Sequence, residues 1–201
     1  RAVGAADRRV EVALQALLEA QYRLLDKPDF PLLILVGGLD AAGKGETVNL
    51  LNEWMDPRHI RTEAFGLSGS DREGGRPEMW RFGSWYTDPI VRRAEGTLKR
   101  TGFERRLETI RHFERMLAAE GALVLKLWFH LSKSEQKKKL RALSEDPLTA
   151  WRVTPGEWRR HDRYERYARV AAEALRETST GEAPWQVIDG SDERYRALTA
   201  G

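Results

Sequence analysis

Residues 30–47 read FPLLILVGGLDAAGKGET, an apolar run followed by a loop of small residues that ends in Gly-Lys. The apolar run is typical of a buried strand, and apolar residues at helical spacing after the loop predict a helix. Gly38, four further residues and Gly43-Lys44 have the spacing of a phosphate-binding P-loop in its strand–loop–helix context. Loop N–H groups and the helix N-terminus attract phosphate oxygens. The stretch therefore predicts a phosphate site, with Lys44 as a point charge on the outer phosphates.

Two positions of this loop depart from the ordinary pattern. Gly45 stands where most P-loops carry the Ser or Thr that holds magnesium. Asp40 lies inside the loop, where phosphates repel a carboxylate unless a cation or a catalytic task keeps it there. The predicted phosphate-binding residues of the loop are Gly38, Ala41, Ala42, Gly43, Gly45, Glu46 and Thr47. A degenerate loop that no longer binds nucleotide is the alternative.

Composition limits the class of protein. A chain of 201 residues with 41% hydrophobic and 32% charged residues suits one globular α/β domain, residues 1–201. The net charge is only +3, which excludes a strongly cationic protein, and we expect no nucleic-acid partner. No apolar stretch is long enough to cross a bilayer, so we expect no membrane partner and a cytoplasmic location. The chain contains no Cys and begins at Arg1 rather than Met, so we expect one domain of a longer protein without disulfides.

Strand and helix patterns alternate along the chain. We expect the P-loop helix to end near Asp56-Pro57. An N-terminal segment, 1–29, contains a predicted helix at 8–25. Further predicted helices cover 103–120, 158–178 and a stretch from about Ser191. Predicted strands cover 122–131 and 185–189, with a weaker candidate at 60–65, and Ser132 is a good N-cap. Residues 67–76 are typical of a surface loop. The alternation predicts a three-layer α/β/α fold with a parallel central sheet.

Basic residues recur in three places outside the loop. Arg76 and Arg81 lie in a Gly-rich segment, and Lys139 and Arg152 lie on either side of a proline-broken hinge in a helical lid region, 132–160. Such cations suit phosphate oxygens, although solvated surface is the commoner explanation for each. A third group at helical spacing consists of Arg159, Arg160, Arg163, Arg166 and Arg169. It fits either a groove for a polyanion or, slightly better, an exposed helix with internal ion pairs. The four histidines show no zinc-ligand spacing.

Five motifs then follow one another in a familiar order. They are GLDAAGKG at 38–45, GSWY at 83–86, KLWFHLSK at 126–133 with Glu135-Gln136, Asp146-Pro147 with Trp151, and APW at 183–185. From about Arg8 onward the chain resembles the polyphosphate kinase 2 family. GETVNLLNEW at 45–54 and GSWYTDP at 83–89 are most similar to the N-terminal domain of tandem-domain polyphosphate:AMP phosphotransferases.

The resemblance implies a P-loop kinase fold that moves a phosphoryl group between inorganic polyphosphate and a nucleotide (AMP, ADP or GDP) with Mg²⁺. In the family's terms, the catalytic residues are Asp40, at the phosphate acceptor or the metal, and Lys44, on the transferring phosphates. A metal-binding Asp40 accounts for both irregular loop positions, because it replaces the missing hydroxyl and the metal offsets its charge. The resemblance also implies that the domain associates with further copies of itself in a homo-oligomer or with a second domain of the same kind.

Three departures from the family count against turnover. Phe82-Gly83 stands where active members carry Asp-Arg, and Leu143 stands near the position of a lid arginine. The chain is also short before Gly83, by roughly a dozen residues of strand and connection. Deleting a central parallel strand leaves backbone groups unpaired, so we expect that segment to be missing from the sequence rather than from the protein.

Three hypotheses remain. The first is a polyphosphate-dependent enzyme, and the second is a catalytically impaired domain that binds, oligomerises or regulates beside an active sister domain. The third is an ordinary nucleotide kinase that uses ATP. Gly45 argues against it, because ordinary P-loops carry a Ser or Thr at this position.

Overall fold

A computed structural model describes residues 5–64 and 84–201 of the chain. The helices in this part are α1 (Ala5–Asp26), α2 (Lys44–Trp54), α3 (Ser84–Glu95), α4 (Arg100–Ala119), α5 (Lys133–Glu145), α6 (Pro155–Asp162), α7 (Tyr164–Thr178) and α8 (Glu193–Ala200). The strands are β1 (Leu32–Gly38), β2 (Leu123–His130) and β3 (Trp185–Asp189). Short 3₁₀ turns cover Pro57–His59 and Ala150–Arg152.

The three strands form a parallel sheet in the order β1-β2-β3. β1 runs beside β2 from the pair Leu32–Leu123 to the pair Gly38–Phe129, and β2 runs beside β3 from Lys126–Trp185 to His130–Asp189. Because all three strands are parallel, their carboxyl ends meet at one edge. Ligands of α/β sheets bind at that edge, and the sequence places the P-loop there, directly after β1.

A buried ion pair joins three helices to one face of the sheet. Lys126 of β2 is fully buried, and its Nζ donates to Glu114 of α4 at 2.7 Å and to the carbonyl of Thr178 of α7 at 2.7 Å. The Tyr86 hydroxyl of α3 donates to the same carboxylate. Burial raises the pKa of Glu114 and lowers the pKa of Lys126, while their mutual contact opposes both shifts. The charged pair therefore fixes α3, α4 and α7 against this face.

Helices α1, α2 and α8 pack on one another, and α2 and α8 contact strands β1 and β3. The sheet thus lies between two helical layers, which confirms the predicted three-layer α/β/α fold. In the described ranges no helix is both long and apolar enough to cross a membrane.

Most predicted elements are confirmed to within three residues at each end. The N-terminal helix, the P-loop helix, the strands at 122–131 and 185–189, and the helix at 103–120 all form. Ser132 caps α5 as predicted, because its hydroxyl accepts a hydrogen bond from the Glu135 N–H at 3.2 Å. Residues 67–76 lie outside the described part of the chain.

Two predicted elements differ from the structure. The candidate strand at 60–65 is wrong over its described residues, since 60–64 are irregular and 61–64 are exposed. There Arg61 pairs with Glu63 in solvent instead of joining a strand ladder. The helix predicted over 158–178 is divided at Arg163 into α6 and α7, and α6 begins at Pro155, which suits the first helical position. Helix α3, with Pro89 inside it, has no counterpart among the predicted elements.

Candidate phosphate-binding site

The loop after β1 is shaped by glycines that no other residue can replace without strain. Gly43, the N-cap of α2, has φ 89°, and Ala41 also has a positive φ, 59°. At Gly38 a β-carbon would lie 2.4 Å from the carbonyl oxygen of Phe129. The Leu39 N–H donates to that same oxygen at 3.1 Å. The loop therefore turns tightly over the end of β2 before α2 begins.

Lys44 reaches back across this loop. Its Nζ donates to the carbonyl oxygens of Gly38 at 2.9 Å and Leu39 at 2.6 Å. Burial is the main cause that lowers the pKa of Lys44, and the nearby Asp40 carboxylate opposes this shift. The ammonium group is thus held by neutral carbonyls at the N-terminus of α2, where phosphate oxygens would be better partners.

Asp40 is paired with an arginine from the lid region. Arg160 of α6 donates through Nε to Oδ2 at 2.6 Å and through Nη2 to Oδ1 at 3.2 Å, and each side chain is 24% exposed. The Asp40 carbonyl also accepts from Gln136 of α5 at 3.2 Å, and Gln136 Oε1 lies 2.8 Å from Nδ1 of His161. Helices α5 and α6 are therefore both attached to the P-loop at one residue.

The donor groups around Asp40 fit one mode of magnesium binding. Mg²⁺ is commonly held by one or two carboxylates together with substrate phosphates rather than by an all-protein cage. Within the described residues there is no cluster of three His, Asp or Glu side chains that could form such a cage. Thr47 does not replace the hydroxyl missing at Gly45, because it is buried and its Oγ1 donates to the Gly43 carbonyl at 3.0 Å. Asp40 thus fits as a single metal carboxylate once it is released from Arg160.

Glu46, in the first turn of α2, carries its carboxylate toward two arginines. Arg196 Nη2 lies 2.9 Å from Oε2, and Arg152 Nη1 lies 3.8 Å from Oε1. Arg152 is one of the predicted phosphate-binding residues, and the structure brings it to the loop. Since a carboxylate repels phosphate, Glu46 can contribute to an anion site only through its backbone N–H.

The turn after β3 supports the loop from below. Lys139 Nζ and Arg196 Nη1 donate to the Gly190 carbonyl at 2.6 Å and 2.8 Å. A β-carbon at Gly190 would lie 2.6 Å from the Ala42 carbonyl oxygen. Burial lowers the pKa of Lys139, and the charge of Arg196 lowers it further. The ammonium group of Lys139, a predicted phosphate ligand, is therefore hydrogen-bonded to a backbone carbonyl beneath the loop.

The remaining candidates fall into two groups. Arg76, Arg81 and Phe82-Gly83 lie outside the described residues, so their predicted roles stay predictions. Leu143 is a helical residue of α5 whose carbonyl accepts from the Thr149 hydroxyl at 2.9 Å. Of the five arginines from 159 to 169, Arg160 contacts the loop, so the preferred interpretation as an exposed helix is wrong for that residue. Arg163, Arg166 and Arg169 are exposed, as that interpretation predicts, and line a shallow cleft with acidic neighbours, but among the described residues they form no ion pair.

Sequence reasoning did not find Arg196. It is 3% exposed in the first half of α8, between Tyr195 and Ala197, and its spacing alone gives no reason to prefer it over Arg194.

A family model described as polyphosphate kinase 2 matches residues 4–200. The chain belongs to the polyphosphate kinase 2 family. A polyphosphate:AMP phosphotransferase from Pseudomonas aeruginosa is 45% identical over 93% of the chain, and that alignment covers 40% of the relative. An AMP/ADP-polyphosphate phosphotransferase from Meiothermus ruber is 31% identical over 97% of the chain and is covered to 75%.

A solved structure from Pseudomonas aeruginosa, assigned to polyphosphate kinase 2, superimposes with a TM-score of 0.82. It is 41% identical, and the match covers 96% of this chain and 42% of that one. The chain therefore spans about two fifths of the length of the first relative, 40%. Family membership and fold follow from these comparisons, and activity is a separate question.

Proposed function

We propose that this domain transfers a phosphoryl group between inorganic polyphosphate and a nucleoside mono- or diphosphate, with Mg²⁺. The observation that carries the proposal is the loop itself, where Lys44 is held by the Gly38 and Leu39 carbonyls and Asp40 is paired with Arg160 of the lid region. Two close relatives are named as phosphotransferases that act on polyphosphate with AMP or with AMP and ADP. These names support the substrate class.

Phosphate binding would exchange the partners of these groups. Phosphate oxygens would take the place of the carbonyls at Lys44, and they would compete with Asp40 and Glu46 for Arg160 and Arg152. Such exchanges suit phosphoryl transfer, in which the protein mainly positions the groups and neutralises charge. Asp40, once separated from Arg160, would be available to hold a metal, which would neutralise charge on the phosphate oxygens.

The proposed reaction is an in-line displacement. An oxygen of the nucleotide's terminal phosphate forms a bond to the terminal phosphorus of polyphosphate, and the bond from that phosphorus to the chain breaks. The nucleotide gains one phosphoryl group and the polyphosphate becomes one unit shorter. Lys44 and Arg160 would stabilise the negative charge on the oxygens of the phosphoryl group as it is transferred.

The test is formation of ADP or ATP from polyphosphate and AMP or ADP by the purified protein, with and without magnesium. We expect Lys44→Ala to lower kcat/KM at least about 100-fold, because it removes a cation from the transferring phosphates. Lys138→Ala is the matched control, since Lys138 is a lid lysine with a 78% exposed side chain. This control is expected to keep full activity.

The outcomes separate three functions. Turnover no higher than that of Lys44→Ala overturns the proposed reaction. Polyphosphate binding without turnover favours the second candidate, a non-catalytic binding or regulatory domain, which Phe82-Gly83 supports because neither residue can hold a metal or neutralise phosphate. Phosphorylation with ATP but not with polyphosphate identifies an ordinary nucleotide kinase.

A further inference from the structure

Arg196 is a buried cation directly beneath the phosphate loop. Its side chain is 3% exposed, and a β-carbon at Gly43 would lie 2.4 Å from its Cζ, so the guanidinium lies against the Gly43 backbone. Nη1 donates to the Gly190 carbonyl and Nη2 to Glu46, whereas Nε has no hydrogen-bond partner within the described residues. A buried arginine with these neighbours has little freedom to move.

Glu46 divides its carboxylate between this buried arginine and the lid. Oε2 contacts Arg196 at 2.9 Å, and Oε1 faces Arg152 at 3.8 Å. The Arg196 side chain is 3% exposed, while those of Glu46 and Arg152 are 43% and 39% exposed. Because Glu46 has one buried anchor, its second oxygen is presented to the lid arginine in a fixed place.

Arg152 is thereby held over the first turn of α2. A β-carbon at Gly45 would lie 3.9 Å from Arg152 Nη2, which puts the guanidinium beside the amides at the helix N-terminus. Those amides attract phosphate oxygens. Arg152 therefore lies beside the predicted phosphate position.

We propose that Arg196 is a positioning residue that acts through Glu46 to hold the lid residue Arg152 at the phosphate site. Its side chain is buried, so this role is exerted through Glu46 rather than by contact with the substrate. This inference rests on the proposed function for its kinetic consequence, but the placement of the lid is a property of the protein without substrate.

A double-mutant cycle tests the inference in the purified protein. The variants are Arg196→Met, which keeps the stem but not the charge, Glu46→Gln, and the two combined. Arg196→Lys tests rescue of the charge, and Arg194→Met is the matched control on the exposed side of the same helix. The readouts are amide hydrogen exchange over residues 146–160 without substrate, the KM for polyphosphate, kcat, and the thermal midpoint.

We expect Arg196→Met to speed exchange over 146–160 and to raise the KM for polyphosphate about threefold, with kcat changed less, since the lid contact is a half-exposed ion pair. In the Glu46→Gln background the same substitution should leave both quantities unchanged. Arg196→Lys should restore most of the wild-type exchange protection and KM, and Arg194→Met should leave both quantities at their wild-type values.

Two results overturn the inference. The first is an Arg196→Met protein whose thermal midpoint falls while exchange over 146–160 and the KM stay at wild-type values, which indicates a purely structural arginine. The second is an equal effect of Arg196→Met with and without Glu46. If the wild-type protein shows no turnover, the proposed function fails, and the exchange measurements still decide the inference.

Discussion

Single residues of the phosphate loop differ sharply in what their backbone requires. Gly43 has φ 89° and has Arg196 atoms 2.4–2.7 Å from the place a β-carbon would take. Gly45, two residues later, is inside α2 and has only ordinary space around it, with the nearest atom 3.9 Å away. The two glycines therefore form a matched pair for a test of the loop.

We expect Gly43→Ala to lower the free energy of unfolding by about 1–3 kcal/mol, because the left-handed backbone and the contact with Arg196 both oppose a side chain. Gly45→Ala should raise it by roughly 0.5–1 kcal/mol, since alanine favours a helix over glycine. Urea unfolding of both variants measures the difference. Equal unfolding midpoints would show that the loop does not hold Gly43 in this conformation.

At the residue scale, sequence reasoning found the groups of a local motif and one distant arginine, Arg152, but not the two other arginines that reach the loop from far along the chain. Asp40 and Lys44 lie within one loop, so spacing alone located them. Arg160 and Arg196 reach the same loop from 120 and about 150 residues away. Their contacts depend on how α6 and α8 pack, and a run of arginines at helical spacing does not reveal which one turns inward.

At the scale of elements, the contact between α5 and α6 determines where Arg160 lies. His161 is 6% exposed and follows Arg160, and its Nδ1 lies 2.8 Å from Gln136 of α5. Its ring packs edge-on against Trp158, with 6.0 Å between ring centroids. Burial lowers the pKa of His161, and the charges of Lys133 and Lys137 lower it further, while Asp162 opposes them.

This shift gives the stability of the lid a defined pH dependence. With its pKa below 6.5 in the folded state, His161 binds a proton more readily when the protein is unfolded. The stabilisation is complete above pH 6.5 and is lost as the pH falls from 6.5 toward the lowered pKa. We therefore expect a lower urea midpoint at pH 5.5 than at pH 7.5.

His161→Asn should reduce this difference between the two pH values, because asparagine keeps a polar group near Nδ1 but does not titrate. His112→Asn is the control, since His112 is exposed on α4, and it should leave the difference unchanged. The assignment to His161 fails if both variants keep the wild-type difference.

At the scale of the whole molecule, the described part of the sheet is narrower than the family resemblance implies. Among the described residues β1 pairs with β2 only, so its other edge has no strand beside it. The alignment with the Pseudomonas aeruginosa relative runs over 201 positions but covers 93% of this 201-residue chain, so the relative has positions that this chain lacks. Both observations agree with a missing segment before Gly83, which stays a prediction. Periodicity predicted the order of layers well because it depends on local patterns, whereas the width of the sheet depends on strand pairing between distant residues.

The charge of the whole chain bears on how polyphosphate would bind. With 34 basic and 31 acidic residues, the net charge of +3 is too small to attract a polyanion from a distance. Binding should therefore depend on the local cations at the loop, namely Lys44, Arg152 and Arg160. A flexible polyanion that exchanges condensed counterions for three cations should lose affinity with salt at a logarithmic slope of about −2.

We expect log KM for polyphosphate to rise with log salt at a slope of about +2 between low and moderate potassium chloride, because KM varies inversely with affinity. The KM for AMP, which carries few charges, should change far less. Arg152→Gln should reduce the slope by about 0.7, the share of one phosphate contact. Arg105→Gln removes the same charge from α4, which packs against α3, α7 and β2 rather than the loop, and it should leave the slope unchanged. Equal slopes for the two variants would mean that polyphosphate binding responds to the overall charge of the protein. Arg152 would then not contact polyphosphate.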